Sequence, residues 1–176
     1  MPSPSPPLPP ISDLFAAAER TAVHLEARDV YAVAPESEEM ATWRATGRRS
    51  APDSPYWRDW VGLVRRTVAR GVTVRRARIV SEPVSEYVRF EHAGTPANLA
   101  AGEDVRWLPR DHAADLALPD ADFWLFDERL VRFGYFDGDG HLTGHDVTDD
   151  PAVAALCAQA FEAVWSRATP HEKYEI

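Results

Sequence analysis

A chain of 176 residues, 45% apolar and 27% charged, makes about one domain with enough apolar mass for a core that needs no metal or disulfide. The net charge of −9 disfavours free association with nucleic acid or an anionic membrane, and the one cysteine, Cys157, has no partner for an intrachain disulfide. No run reaches the roughly 18 apolar residues of a membrane span, and Met1 to Pro10 lacks the basic flank and apolar stretch of a secretory signal, so a cytoplasmic location is expected.

Residues 1–10 hold six prolines and two serines and read as an extended, flexible leader; residues 11–176 read as a single α/β domain. Ser12 can cap a helix through Leu14, Phe15 and Ala18, after which Val23, Leu25 and Ala27 alternate with His24, Glu26 and Arg28 as an extended segment. Pro35 to Pro52 is polar and reads as a surface loop with one helical turn around Met40 to Ala45. Asp53 or Ser54, followed by Pro55, opens a helix whose apolar stripe is Trp57, Trp60, Val61, Val64 and Val68 and whose end is Gly71.

The β-branched run Val72 to Val80 is a strand. Pro83 opens a helix with Val84, Tyr87 and Val88 on one face, and Thr95-Pro96 and Gly102 bracket a further short one. Asp104 to Leu108 is a strand, Asp111 to Asp120 a polar connection, and Phe123 to Phe126 and Leu130 to Phe136 two strands joined by a tight turn at Asp127-Glu128-Arg129. Asp149-Asp150-Pro151 caps a last helix with Val153, Leu156, Ala160, Phe161, Val164 and Trp165 on its stripe. This order implies an α/β fold with a mixed β-sheet flanked by helices.

Charge is unevenly spread. Six arginines and no acid lie between Val61 and Ser81, whereas Glu103 to Asp150 holds thirteen acids and four arginines. On the strand, Arg75 points opposite to Arg76, while Arg76 and Arg78 share a face and could grip a carboxylate or phosphate. The plainer reading, that they pair with the protein's own acids, is favoured. Asp137-Gly-Asp139-Gly-His141 starts like a calcium loop, but Leu142 and Thr148 stand where glycine and a bidentate glutamate are needed, so a glycine-rich hairpin turn is preferred. His141 and His145 have metal-ligand spacing, but Gly140 and Gly144 disfavour a helix there, and they read as exposed loop residues. Cys157 reads as a small buried hydrophobe. No nucleophile elbow, Walker loop or dinucleotide fingerprint occurs, and neither a cofactor nor a metal is expected.

The segments Ala69 to Glu91, Ala101 to Pro109 and Asp122 to Asp127 resemble an actinobacterial family of unknown function, many of whose members are encoded near helix-turn-helix regulators. That resemblance covers nearly everything after the leader and implies a regulatory or accessory role. The order Arg70-Gly71-Val72, Gly102 to Trp107 and Phe123 to Phe136 also resembles a degenerate phospholipase D-like fold. Active members of that fold carry His-x-Lys-x-x-x-x-Asp at the hairpin; with the motif's aspartate on Asp127, Asp120 stands in place of histidine and Asp122 in place of lysine. A carboxylate there would repel a phosphodiester.

Three functions follow in order of preference. The first is a non-catalytic regulatory or accessory binding module acting through a protein partner, such as a helix-turn-helix regulator, or a small ligand, anionic ones included; its contact residues would be Arg75, Arg76, Arg78, Tyr87, Arg89 and Asp122. The second is an enzyme using Asp120, Asp122 and Asp127 as a clustered acid–base site. The third is weak nucleic-acid binding through the arginine-rich strand.

Overall fold

Three parallel strands, β1 (Thr21–Glu26), β2 (Thr73–Val80) and β3 (Glu103–Pro109), form the centre of one sheet in the computed structural model, which describes residues 7–176. The antiparallel strands β4 (Asp122–Phe126), β5 (Leu130–Phe136) and β6 (Leu142–Thr148) extend it beyond β1, and β7 (Thr169–Pro170) pairs with β3, giving the order β6-β5-β4-β1-β2-β3-β7. The expected α/β architecture, a mixed sheet flanked by helices, is the one observed.

Because strand side chains alternate between faces, each strand feeds two different cores. Val23, Leu25, Ala77, Ile79, Phe123 and Leu125 pack against Phe161, Val164 and Trp165 of helix α5 (Pro151–Arg167). On the opposite face Ala22, Val74, Trp124 and Phe126 meet Phe15 of α1 (Ile11–Ala17) and Val61 and Val64 of α3 (Arg58–Ala69). Further along that face Val80, Val105 and Trp107 pack with Val88 of α4 (Glu86–Ala101). Full burial of each of the larger side chains among these, the valines, leucines, isoleucine and phenylalanines, is worth about 1.5–3 kcal/mol, which sets the sheet's register firmly.

Local signals fix several boundaries. Gly71 has φ +91 just after α3, a conformation open to glycine. Ser85 accepts the Val88 N–H, and Asp150 accepts that of Ala152, capping α4 and α5. The β4–β5 turn places Asp127 and Glu128 at φ +52 and +55. Asp127 offsets that strain by accepting the backbone N–H groups of Glu19, Arg20 and Thr21 at 2.9, 2.7 and 2.9 Å.

Elsewhere the structure departs from expectation. The segment read as a loop contains an eleven-residue helix, α2 (Glu36–Thr46), held by polar and aromatic contacts where no apolar stripe exists: Glu39 with Arg49 and Ser50, and Trp43 edge-on to Phe90. The two helices expected around Pro96 are one, because the buried face of Phe90, Ala97, Asn98 and Ala101 outweighs the ~3 kcal/mol cost of an interior proline. The glycine-rich hairpin turn expected at Asp137 to His141 is present, and it leads into β6, which the sequence does not mark as a strand: it is an edge strand, largely exposed, so backbone pairing with β5 holds it and no alternation marks it. Ser12 and Asp53 do not cap α1 or α3. Leu156, placed on the stripe of α5, is 63% exposed, and Cys157 is buried as expected. Most of the leader read at residues 1–10 lies outside the described residues, but its end is engaged: Arg132 Nη1 donates to the Pro9 carbonyl at 2.8 Å.

Candidate functional site

Register sets polar side chains on the α3–α4 side of the sheet in cross-strand rows. Arg132, Trp124, His24, Arg76 and Val105 stand side by side on β5, β4, β1, β2 and β3, and in the next row Glu26 faces Arg78. Between two apolar clusters these rows form a buried ionic network. Glu26 accepts from Arg76 Nη1 at 2.5 Å and from Arg78 Nε at 2.7 Å. Glu103 accepts from Arg76 Nε at 2.9 Å and from Trp60 Nε1 at 2.8 Å, with Asn98 Nδ2 at 3.3 Å. The remaining arms of Arg78 reach Thr95 Oγ1 and Glu91 Oε2 on α4.

Beside the network lies a cavity of about 330 Å³ walled by His24, Glu26, Tyr31, Glu36, Arg76, Tyr87, Glu91, Asp122, Trp124, Arg132, Phe136 and His145, among others. A second lobe of about 260 Å³ shares His24, Glu36, Arg76, Glu91 and Trp124 with it and reaches Tyr56 and Trp57. Tyr31 donates to Asp122 Oδ2, whose other oxygen accepts the Ala27 N–H at 2.9 Å. Tyr87 donates to Glu36 Oε2 at 2.8 Å. His24 stacks on Trp124 with ring centroids 4.3 Å apart, and its Nδ1 lies 3.3 Å from Glu26 Oε1 without hydrogen-bond alignment.

Burial shapes the electrostatics. It drives His24 down to about 3, against the pull of Glu26, so the imidazole is neutral. Burial opposes ionisation of Glu26, but Arg78 and Arg76 outweigh it and hold that carboxyl below the ordinary range. Glu36 is pushed up to about 7 by burial and by Glu91, and Asp122 to about 6 by burial and Glu26 against its hydrogen bond from Tyr31. Burial and the neighbouring carboxylates raise the tyrosines Tyr31 and Tyr87.

Glu36 therefore carries a measurable cost. Its folded-state value lies above the 4.5 of an unperturbed glutamate, so folding retains a proton between these values and stability falls as pH rises from 4.5 to about 7. Facing it are Tyr87 and Glu91 from α4, Glu26 from β1 and Arg78 from β2. Glu36→Gln removes the charge and keeps an acceptor for Tyr87. Urea unfolding should show the variant equal to wild type near pH 4.5 and more stable by about 1–3 kcal/mol at pH 8.

The model of the family described as Domain of unknown function (DUF6879) matches residues 10–176. The chain belongs to that family. No curated protein matches it in sequence. Among solved structures it is similar to Nuc, a phospholipase D family member from Salmonella typhimurium, with TM-score 0.52 and 10% identity over 91% of this chain and 87% of that one. NucT from Helicobacter pylori gives the same TM-score, identity and coverage. TrmBL2, an archaeal chromatin protein whose structure is described as showing a novel mode of DNA binding, aligns with TM-score 0.50 and 14% identity over 90% of this chain and 48% of that one. The fold is thus the one expected from the phospholipase D-like resemblance.

The residues proposed from sequence are only partly brought together. Arg76, Tyr87 and Asp122 line the cavity, and Arg78 lies in its second lobe. Arg76 and Arg78 are 8% and 5% exposed, so they offer no contact surface to a protein or nucleic acid. Pairing with the protein's own acids is what occurs, although of Glu26, Glu91 and Glu103 only the last belongs to the acid-rich segment. Arg75 lies on the other face, over the rings of Phe161 and Trp165 and paired with Glu162 at 2.6 Å. Arg89 is exposed on α4, turned away from its neighbour Tyr87.

The clustered aspartates are not a cluster. An extended strand rises about 3.3 Å per residue, so Asp127 sits at the far end of β4 from Asp122, capping backbone, while Asp120 is exposed. His141 belongs to the β5–β6 turn, where Asp137 Oδ1 accepts the N–H groups of Asp139 and His141, and His145 lies on β6 and not in a loop. His24, Glu26, Tyr31, Glu36, Glu91 and Arg132 went unnoticed in the sequence. One signal for the first two was present: two ionisable residues at alternate positions of a central strand, matched by two arginines at alternate positions of the next.

Proposed function

We propose that this protein is a non-catalytic ligand-binding module with a regulatory or accessory role, built on a phospholipase D-like scaffold. One observation carries it: at the positions where active members of that fold present histidine and lysine, this chain has an exposed Asp120 and a cavity-lining Asp122 held by Tyr31 and the Ala27 N–H. The guanidinium groups of Arg76 and Arg78 are engaged by Glu26, Glu91 and Glu103, so neither is a free clamp for a phosphodiester, which would meet the carboxyl of Asp122. The walled cavity favours a small ligand as the first contact. A protein that reads the liganded state, of the helix-turn-helix class the family resemblance implies, completes the regulatory reading, with the cytoplasm as its place of action.

A second reading has its own support: Asp122 shares the cavity with Arg76, and its raised affinity for a proton suits acid–base work. Turnover separates the two. Wild-type protein should not hydrolyse bis(p-nitrophenyl) phosphate above the rate of buffer, alone or with divalent cations. Hydrolysis that disappears in Asp122→Asn would replace the binding module by an enzyme.

A further inference from the structure

We propose that the cavity takes a small organic cation, a protonated amine on an apolar body, and discriminates against anions. This rests on the ligand-binding reading above and names the ligand's chemical class. The main lobe carries four carboxyl groups, Glu26, Glu36, Glu91 and Asp122, against two guanidinium groups, Arg76 and Arg132. Arg76 is already engaged by Glu26 and Glu103, and Arg132 reaches the Pro9 carbonyl. Glu36 and Asp122 have no arginine partner: each receives a tyrosine hydroxyl, from Tyr87 and Tyr31. Buried acids of one sign attract a cation strongly where water is scarce.

The same two tyrosines supply the second half of an ammonium site. Their rings lie 5.6 Å apart and, with Phe136 edge-on to Tyr31 at 5.0 Å, form an aromatic wall beside the carboxyls. Aromatic faces next to carboxylates favour an organic cation over a neutral or anionic analogue. The buried Nδ1 of His24, a residue of the same cavity, has no hydrogen-bond partner, so the site holds a polar atom that the protein leaves unsatisfied. A bare metal ion fits less well: among the described residues the group near enough to share one ion is Asp137, Asp139 and His141, exposed at the β5–β6 turn. The main lobe, about 330 Å³, is of the size that takes a small organic molecule.

Three probes that share one phenylethyl body test this on the full chain: 2-phenylethylamine, 2-phenylethanol and 3-phenylpropionate, titrated calorimetrically at pH 7.5. The amine should bind about tenfold more tightly than the alcohol, and the propionate most weakly. Glu36→Gln should weaken the amine about tenfold and leave the alcohol unchanged, with circular dichroism confirming the fold. Asp122→Asn gives the same comparison from the other carboxyl. Equal or tighter binding of the propionate or alcohol, no measurable amine binding, or amine affinity unchanged in both variants overturns the proposal. These results leave the non-catalytic reading standing, which falls only to the hydrolysis described above.

Discussion

Replacing Arg76 with alanine is expected to destabilise the protein by about 3–5 kcal/mol, the usual cost of breaking a buried ion pair from one side. For a chain of this size that corresponds to a melting point lower by roughly 10 °C. The cause is the carboxylates left behind. Glu103 is 3% exposed and keeps only Trp60 and Asn98, while Glu26 must be held by Arg78 alone. Glu26 also gives the loss a pH signature. Its folded-state value lies below the ordinary 4.5, so its contribution is present above that pH and is lost as pH falls through the folded value. The penalty of Arg76→Ala should therefore be largest near neutrality and shrink in acid. Adding Glu103→Gln to Arg76→Ala should recover more than half of it, because a neutral amide still accepts from Trp60. Urea unfolding of the single and double variants measures that coupling. A penalty independent of pH and undiminished in the double variant would mean that packing, and not charge, holds the network.

The second large effect is expected at Arg49, which joins the α2–α3 connection to α4. Its side chain is 4% exposed, lies 3.6 Å from the centre of the Phe90 ring, donates to the Phe90 carbonyl and pairs with the buried Glu39 at 3.2 Å. A β-carbon at Gly94 would collide with its guanidinium, so glycine there is what lets arginine lie across α4. Arg49→Ala removes the stacking and leaves Glu39 with Ser50 as its remaining partner, at a cost of about 3 kcal/mol. Helix α2 has no apolar stripe to keep it in place, so the loss should be local as well as global. Hydrogen exchange should show α2 amides opening faster relative to those of β1 and β2. Because Glu36 begins α2, amine affinity should fall in the same variant although Arg49 is not among the cavity's lining residues.

The proposed function turns on the carboxyls that line the cavity. On the proposed reading Asp122, aligned with the lysine of the phospholipase D-like motif, gives the cavity a carboxyl in place of a cation. Arg76 and Arg78 do not supply that cation, since their charge is spent on Glu26, Glu91 and Glu103. Reversal of charge at one position of a fold changes the class of ligand without changing the sheet, because the apolar rows that set the register lie elsewhere on the strands.

What the sequence by itself determined follows local rules. The β-branched run of β2, the paired strands around Asp127, the α3 stripe ended by Gly71 and the α5 cap at Asp150 each satisfy a short-range requirement of backbone geometry or periodicity. Only the tertiary structure decided the rest. Helix α2 depends on Arg49, Glu39 and Phe90, which come from three separate segments; α4 runs through Pro96 because its far side is buried; β6 needs β5 as a template. The site is of the same kind. That Arg76 and Arg78 are polar was plain in the sequence, but their burial follows from the parallel pairing of β1 with β2, which sets His24 beside Arg76 and Glu26 beside Arg78 beneath α4. Strand register is a long-range choice made by the apolar faces, and it fixes which charges meet.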